Sequence, residues 1–485
     1  MSKNIWHPWS YKELFFKTAV FLAGIVVLCI GFMLIPEVVF NEPKFNGVIV
    51  NEETDSLYKE IPVKPDIEDP IDSTCYDMLN FCPEAGDQGD YGTCVGWATA
   101  YAARTICEAA DSNWTDRQKI TSEVFSPWFV YTNIKDRYGY DRICQVGTYI
   151  PDALQLMKDK GVPKMSIYNT ECNSAVPPEI FPYGERYKID DYFRLFDDEL
   201  HPKDIADSLK IVRIKRALIN NRPVVISMKC YTSFSFRGDV WDGDTTKFRG
   251  YHALCIVGFC DDKYGGSFLI QNSWGKDWGV DGRCWVRYDD FLKSSRYALE
   301  MYMKPHHPDS LYHFAAGLRI ENHLGENLDV VLDSAKSFPY YKMVKKCDTT
   351  TQFKCYISNR EPAYVYMLGG DDLNTAVHFP YDTKTSPALV YRNNNTVTVP
   401  EGDTCFFLKK TIGADYLCLL FSSEPIDIND IVVNMKAEKG NFYDKILRVL
   451  SSSAVAGYDI NFSRDAISFT SKTRGKILPV IVKLD

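Results

Sequence analysis

Residues 87–98 read DQGDYGTCVGWA, a stretch that combines a loop signal with a helix signal. A polar loop that contains glycines ends at Cys94, and an alanine-containing helical segment begins there. A thiol at a helix N-terminus meets the positive end of the helix dipole and unsatisfied backbone N–H groups, which favour the nucleophilic thiolate. Alone, this position is weak evidence for catalysis, because most cysteines in folded chains are small buried hydrophobic side chains.

A nucleophilic thiolate also needs a base, and the base needs a group that orients it. Among the eight histidines of the chain, His252 alone precedes a strand-like apolar run, ALCIVGF at residues 253–259. Residues 271–279 read QNSWGKDWG, in which Asn272 can accept the imidazole N–H and Trp274 can keep water away from that bond. The pattern therefore predicts Cys94, His252 and Asn272 as a catalytic set, with a structural role as the alternative for His252.

Three blocks of sequence together resemble the papain-like cysteine peptidases, especially their bacterial members. The blocks are Gln88-Gly89 with Gly92-Thr93-Cys94, then Tyr251-His252-Ala253, then Asn272-Ser273-Trp274-Gly275. Their order along the chain matches the order of glutamine, cysteine, histidine and asparagine in that family. The resemblance covers residues 71–305. It implies an α+β fold with two lobes, one helical and one built on antiparallel strands.

The resemblance also implies a role for each of four residues. Cys94 would attack the scissile carbonyl and form a thioester, while His252 would pair with it as an imidazolium and protonate the leaving amine. Asn272 would orient His252, and the side-chain amide of Gln88 would form the oxyanion hole with the backbone N–H of Cys94. The expected substrate is a polypeptide, and neither a cofactor nor a metal is expected.

Two other functions stay open at this point. The first is a catalytically silent relative that binds peptides, and the presence of Cys94, His252, Asn272 and Gln88 argues against it. The second is a thiol acyltransferase or amidase that uses the same residues on other amides. The sequence does not separate this enzyme from a peptidase, because both reactions pass through the same thioester.

The N-terminal region carries an uncharged, mostly apolar run from Thr18 to Ile35. As a helix it would be about 27 Å long, close to the thickness of a bilayer core. We therefore predict a transmembrane signal anchor at residues 18–36. Lysines precede the run and acidic residues follow it, which predicts a cytoplasmic N-terminus at residues 1–17 and an enzyme on the periplasmic or extracellular side of the cell membrane. A cleaved signal peptide and a secreted product are the alternative, but no small-residue cleavage pattern follows the run.

The rest of the chain divides into three parts by composition. Residues 37–70 contain several prolines among acidic residues and are predicted to form a tether. Residues 71–305 are the predicted peptidase domain, and PHHP at residues 305–308 is the predicted linker. Residues 306–485 contain short strand-like runs and loosely resemble a bacterial β-sandwich domain of unknown function. We expect this β-rich accessory domain to bind a protein partner or to space the enzyme.

The composition limits the remaining possibilities. Of 485 residues, 45% are hydrophobic and 25% are charged, which excludes a largely disordered chain. The net charge of −9 argues against nucleic acid as a partner, because binding to phosphates needs a basic surface. Fifteen cysteines are many for a reducing cytosol, and because the number is odd at least one stays outside any intramolecular disulfide. The pairing of the others does not follow from the sequence.

Overall fold

The computed structural model describes residues 47–138, 144–172, 175–196, 206–303, 312–391, 395–408 and 414–484. The predicted cytoplasmic N-terminus at 1–17, the transmembrane anchor at 18–36 and the linker at 305–308 lie outside these residues, as does the first part of the predicted tether. Over the part of the chain that the structure describes, no helix has the length and apolar character needed to cross a membrane.

One lobe of the predicted peptidase domain is built on an antiparallel sheet. Its strands are β1 (Cys75–Asp77), β2 (Asp191–Arg194), β3 (Val224–Tyr231), β4 (Phe248–Cys260), β5 (Ser267–Gln271), β6 (Arg283–Arg287) and β7 (Ser295–Tyr302). They lie in the order β2-β7-β3-β4-β5-β6, and β1 pairs with β4. The strand predicted from the apolar run at 253–259 is confirmed as part of β4. The central strand β4 carries His252 into the interior.

The helical half packs against this sheet and shares one hydrophobic core with it. Its helices are α2 (Cys94–Gly96), a π-helical turn (Trp97–Arg104), α3 (Thr105–Asp111), α4 (Arg117–Ser122), α5 (Pro127–Ile134), α6 (Ile150–Asp159), α7 (Phe181–Glu185), α8 (Asp207–Ile219) and α9 (Tyr288–Ser294), with α1 (Glu52–Lys59) before them. The helical run predicted to begin at Cys94 is confirmed. A Cβ on Gly96 would overlap the carbonyl oxygen of Pro127, so a glycine is needed where α2 meets α5. The predicted α+β arrangement is confirmed.

The C-terminal region forms two further sheets around a second core. The first contains β9 (Val330–Asp333), β10 (Tyr340–Met343), β12 (Ala363–Gly370), β13 (Thr375–Phe379), β14 (Ala388–Leu389), β17 (Tyr416–Ser422) and β20 (Leu478–Lys483); the second contains β8 (Phe314–Asn322), β11 (Gln352–Asn359), β15 (Val397–Val399), β16 (Phe406–Phe407), β18 (Ile460–Phe462) and β19 (Ile467–Ser471). Two helices, α10 (Ile428–Ala437) and α11 (Phe442–Leu450), were not predicted. The β-rich prediction is confirmed, and the helices escaped it because each is short.

Residues 47–70 are packed against the molecule, so the tether prediction is wrong for this stretch. Helix α1 begins with a capping box in which Asn51 and Thr54 satisfy each other's backbone N–H groups. The side chains of Val48, Tyr58 and Ile61 are buried in the first core. The sequence suggested a tether because these apolar residues are few and widely spaced between prolines and acidic residues.

Candidate active site

The thiol of Cys94 lies directly beside strand β4. Cys94 is the first residue of the helical run, its side chain is fully buried, and the backbone N–H of Ala253 donates to its Sγ at 3.4 Å. Because Ala253 follows His252 in β4, this hydrogen bond brings the predicted nucleophile next to the predicted base. Residues far apart in the sequence therefore meet where the helical half contacts the sheet.

Asn272 fixes both the orientation and the tautomer of His252. The Nε2 atom of His252 lies 2.7 Å from Oδ1 of Asn272, and the backbone N–H of Ser273 donates to the same oxygen at 2.7 Å. An amide nitrogen at that position would face a second donor, so the atom is the oxygen and Nε2 carries the proton. In the neutral ring Nδ1 is then the basic nitrogen. It is buried and has no hydrogen-bond partner among the described residues, which leaves it available to take a proton from a thiol.

Two tryptophans cover the contact between His252 and Asn272. The ring of Trp274 stacks on the imidazole of His252, with centroids 4.6 Å apart and planes inclined by 27°. Trp278 packs edge-on against Trp274, and its indole N–H donates to the carbonyl of Phe234 at 2.7 Å. These rings exclude water, which strengthens the hydrogen bond of the imidazole, as expected from the sequence.

Ser273 connects Gln88 to the strand end that carries Asn272. Its hydroxyl donates to Oε1 of Gln88 at 2.7 Å, and its carbonyl accepts the backbone N–H of Gln88 at 2.8 Å. The Nε2 group of Gln88 donates to the carbonyl of Tyr91 at 2.6 Å. Since this group has two hydrogens, one remains for an oxyanion. Ser273 was not among the predicted site residues, although its place between Asn272 and Trp274 was a usable signal.

The loop before Cys94 is held by a neighbouring disulfide-bonded segment. Gly92 donates its N–H to the carbonyl of Cys144 at 2.7 Å, and a Cβ on Gly92 would lie 2.7 Å from the carbonyl oxygen of Gln145. Cys144 is joined to Cys172 by a disulfide. The glycine therefore allows a close approach that fixes the loop in front of the nucleophile.

The cleft above the thiol is occupied by residues 47–49, which we call the cleft segment. A Cβ on Gly47 would overlap Sγ of Cys94, so the glycine backbone lies directly on the thiol. The N–H of Val48 donates to the carbonyl of Tyr251 at 3.3 Å, and the N–H of Ile49 donates to the carbonyl of Thr148 at 3.0 Å. These residues belong to the predicted tether, and their position in the cleft was not predicted.

Burial keeps the thiol and the imidazole uncharged in this closed arrangement. Burial raises the pKa of Cys94 to about 12, although backbone N–H groups act in the opposite direction. Burial also lowers the pKa of His252 to about 4, and the hydrogen bond that the imidazole donates to Asn272 acts in the opposite direction. A thiolate–imidazolium pair needs the opposite shifts, so the predicted ion pair is not the favoured state while the cleft is filled.

Metal-ligand spacing occurs at one place in the described parts of the chain, at Cys75, Cys260 and Asp262. The two cysteines form a disulfide, so their sulfur atoms are not available as thiolate ligands. Asp262 is left as a single carboxylate near an exposed edge. This group therefore does not fit a metal site.

In a comparison with protein families, residues 135–301 match the sequence model of the papain family cysteine proteases. The matched stretch contains His252 and Asn272, whose contact is described above. The chain carries a papain family cysteine protease domain. The resemblance to this family is thereby confirmed, and the match contains the second and third sequence blocks, whereas Gln88 and Cys94 precede it.

Two curated proteins that are similar to this chain come from a virus and a nematode. An uncharacterized peptidase C1-like protein of Acanthamoeba polyphaga mimivirus is 26% identical over 206 residues, which is 40% of this chain and 61% of that protein. Cathepsin B-like cysteine proteinase 1 of Haemonchus contortus is 28% identical over 119 residues, which is 24% of this chain and 34% of that protein. The chain thus spans less than two thirds of the length of either relative, and neither supports the narrower likeness to bacterial members.

Among solved structures, xylellain, a cysteine protease from Xylella fastidiosa, is similar with a TM-score of 0.41 and 19% identity. The similarity covers 54% of this chain and 97% of xylellain. Procathepsin B from Trypanosoma congolense has a TM-score of 0.42 and 17% identity, covering 54% of this chain and 88% of that structure.

Proposed function

We propose that the protein is a cysteine peptidase that hydrolyses peptide bonds through Cys94. The main support for the proposal is the fixed tautomer of His252. The contacts with Asn272 and Ser273 place the proton on Nε2 and leave Nδ1 as the basic nitrogen. That nitrogen belongs to the residue preceding Ala253, whose N–H contacts the thiol. A structural histidine would not need a fixed tautomer beside a buried thiol.

The reaction begins when Nδ1 of His252 takes the proton of Cys94 and the sulfur attacks the substrate carbonyl carbon. The oxygen gains the electron pair and is stabilised by the free Nε2 hydrogen of Gln88 and the backbone N–H of Cys94. Collapse of the intermediate breaks the C–N bond, and the imidazolium protonates the leaving amine. Water, deprotonated by His252, then attacks the thioester and releases the carboxylic acid together with the thiol.

A polypeptide is the substrate that the closed cleft supports. The cleft segment is itself an extended peptide, held by the carbonyl of Tyr251 on one side and by both backbone groups of Thr148 on the other. The N–H of Thr148 donates to the carbonyl of Gly47 at 3.1 Å. Because these bonds use only the main chain, another peptide can make them in the same place.

A peptide-hydrolysis assay on the full chain tests this function. Replacing the nucleophile (Cys94→Ala) should lower hydrolysis by about three orders of magnitude or more, as removal of other catalytic nucleophiles does. Cys107→Ala is the matched control, because Cys107 is also a buried free thiol of the same helical run. Hydrolysis that survives Cys94→Ala unchanged would exclude this residue as the nucleophile.

We also propose that residues 18–36 anchor the protein in the cell membrane with the peptidase outside the cytoplasm. The charge asymmetry around residues 18–35 supports this orientation. The disulfides Cys75–Cys260 and Cys144–Cys172 fit an oxidising compartment. Protease added to intact expressing cells should digest the chain beyond residue 40 and spare a cytosolic marker. A chain that is protected until the cells are lysed would contradict the orientation, and release by carbonate would indicate a cleaved product.

A further inference from the structure

We propose that the C-terminal domain keeps the active-site cleft closed by gripping residues 63–69, an inference that rests on the proposed function of Cys94. We call these residues the clamp segment. They lie downstream of the cleft segment and are joined to it by helix α1. The C-terminal domain therefore controls access to a thiol that it does not itself contact.

Helix α1 connects the two segments as a fixed piece of structure. The hydroxyl of Tyr149 donates to the carbonyl of Thr54 at 2.8 Å, which ties the start of the helix to the helical half. The hydroxyl of Tyr58 donates to the carbonyl of Phe196 at 2.8 Å and accepts the N–H of Ala298 at 3.0 Å. Because α1 is docked at both ends, residues 47–69 dock as one unit, and each contact at the clamp end adds to the stability with which the cleft segment is held.

The main chain of the clamp segment pairs with the C-terminal domain. The N–H of Val63 donates to the carbonyl of Lys384 at 2.8 Å, and the N–H of Ser386 donates to the carbonyl of Val63 at 2.7 Å. The N–H of Glu68 donates to the carbonyl of Thr396 at 2.9 Å. Ile67 packs against the core of the same domain. The clamp segment is thus held by backbone bonds at two separated points.

A buried charged group joins three parts of the molecule at Lys64. Its ammonium binds the carboxylate of Glu300, on strand β7, and the hydroxyl of Tyr391, in the C-terminal domain. The hydroxyl of Tyr391 donates to the second carboxylate oxygen of Glu300 at 2.7 Å. The Lys64 and Glu300 side chains are 9% and 0% exposed. Removal of Lys64 alone would leave Glu300 buried without its partner, so the pair fixes the position of the clamp segment between strand β7 and the C-terminal domain.

Asp69 makes the last contact of the clamp segment. Its carboxylate accepts the N–H of Thr396 at 2.5 Å and the hydroxyl of Thr396 at 3.1 Å. Asp69 is only partly buried and takes no part in either hydrophobic core. It is therefore the position at which the grip can be weakened with the least damage to the fold.

The link between the cleft segment and the clamp segment limits how the enzyme can be activated. A cut in the chain before Gly47 leaves the cleft segment covalently joined to the clamp segment, and its high effective concentration keeps it in the cleft. The cleft opens when the grip of the C-terminal domain loosens, or when the chain is cut between the two segments. A partner that binds the C-terminal domain near Tyr391 and Thr396 would act through the first route.

The test measures alkylation of Cys94 by iodoacetamide in the full chain, with the modified residue mapped by mass spectrometry. Asp69→Ala should raise the rate about tenfold, because it removes two hydrogen bonds to a charged acceptor from the closed state only. Asp348→Ala is the matched control. Asp348 also accepts a threonine N–H and hydroxyl, from Thr350 at 2.9 Å and 2.6 Å, but it lies in a turn of the same domain away from the clamp segment. Its alkylation rate should equal that of the unaltered chain.

Two further substitutions, Gly47→Ala and Tyr391→Phe, test whether the clamp segment acts through the cleft segment. Gly47→Ala displaces the cleft segment directly, so adding Asp69→Ala to it should give little further increase if the clamp acts through the cleft segment. The proposal is overturned if Gly47→Ala exposes the thiol while Asp69→Ala does not, or if Asp348→Ala raises the rate as much as Asp69→Ala. Should Asp69→Ala unfold, which thermal melting would show, Tyr391→Phe replaces it, since the ring is retained and only the hydroxyl is lost. Alkylation that follows these expectations without peptide hydrolysis by Gly47→Ala would refute the peptidase and leave the clamp standing.

Discussion

The cleft segment and the clamp segment are held in different ways, although only residues 50–62 separate them. At the cleft end the bonds are main-chain hydrogen bonds, and Gly47 fits because it has no side chain. At the clamp end the charged side chains of Lys64 and Asp69 add specific contacts to the main-chain bonds of Val63 and Glu68. Main-chain bonds can be exchanged for those of any peptide, whereas paired side chains cannot. The first end is therefore replaceable by substrate, and the second is specific to this chain.

The largest effect is expected at the buried charge of the clamp. Lys64→Met leaves Glu300 without its cation and should lower the free energy of unfolding by about 3–5 kcal/mol, measured by urea denaturation. Lys188→Met is the control, because its ion pair with Glu185 is exposed and should contribute about 1 kcal/mol or less. Equal losses in the two variants would mean that the clamp is no stronger than a surface ion pair.

A smaller effect with a different signature is expected at the cleft end. Gly47→Ala forces a Cβ onto the thiol, and overpacking of about 1–3 kcal/mol should raise alkylation of Cys94 by about 10- to 100-fold. The unfolding free energy should change much less than in Lys64→Met, since no buried charge is left unpaired. Gly317→Ala is the control, because a Cβ there meets no atom closer than 3.5 Å. An unchanged alkylation rate in Gly47→Ala would show that the segment does not protect the thiol.

A substitution at Ser273 should affect the rate of catalysis without affecting how well the cleft segment protects Cys94. Ser273→Ala removes the hydroxyl that holds Oε1 of Gln88 and keeps the backbone N–H that holds Asn272. We expect kcat to fall about tenfold, the value of one hydrogen bond, with the alkylation rate of Cys94 unchanged. In a Gln88→Ala background the same change should have no further effect. A fall in alkylation, or a further loss in the double variant, would show that Ser273 acts on something other than Gln88.

The smallest effect concerns the pH at which the thiol reacts. Only the thiolate is alkylated, and burial raises the pKa of Cys94 to about 12, so the rate in the closed protein should keep rising with pH over the neutral and alkaline range. Opening the cleft returns water to the sulfur and lowers its pKa. The Gly47→Ala profile should therefore level off at a lower pH than that of the unaltered chain, as a pH–rate series for iodoacetamide would show. Profiles with the same midpoint would mean that the cleft segment does not cause the shift.

Much of the catalytic domain could be predicted because its signals are local. The apolar runs that became β4 and β5 are continuous in sequence, and the loop-to-helix change at Cys94 is visible within a few residues. The resemblance to a known family predicted that His252 and Asn272 lie next to each other in space, although they are 20 residues apart in the sequence. Their hydrogen bond was therefore expected before the structure showed it.

The closed cleft could not be predicted because its contacts are long-range and have no pattern. Gly47 acts through the absence of a side chain, which no periodicity reveals. Lys64 lies 236 residues before Glu300 and 327 residues before Tyr391 in the sequence. Nothing in the sequence around each residue indicates that its side chain is buried. Only the folded chain shows that they share one buried site.

The disulfide between Cys144 and Cys172 has a practical consequence for any activity assay. Thiol reductants are added to keep a nucleophilic cysteine reduced, but the same reagents attack disulfides. In this protein reduction would release the segment at Cys144 and Gln145 against which Gly92 packs, and that loop carries the nucleophile. Reductant would thus protect the reactive sulfur and loosen its support together, so activity should pass through a maximum as its concentration rises.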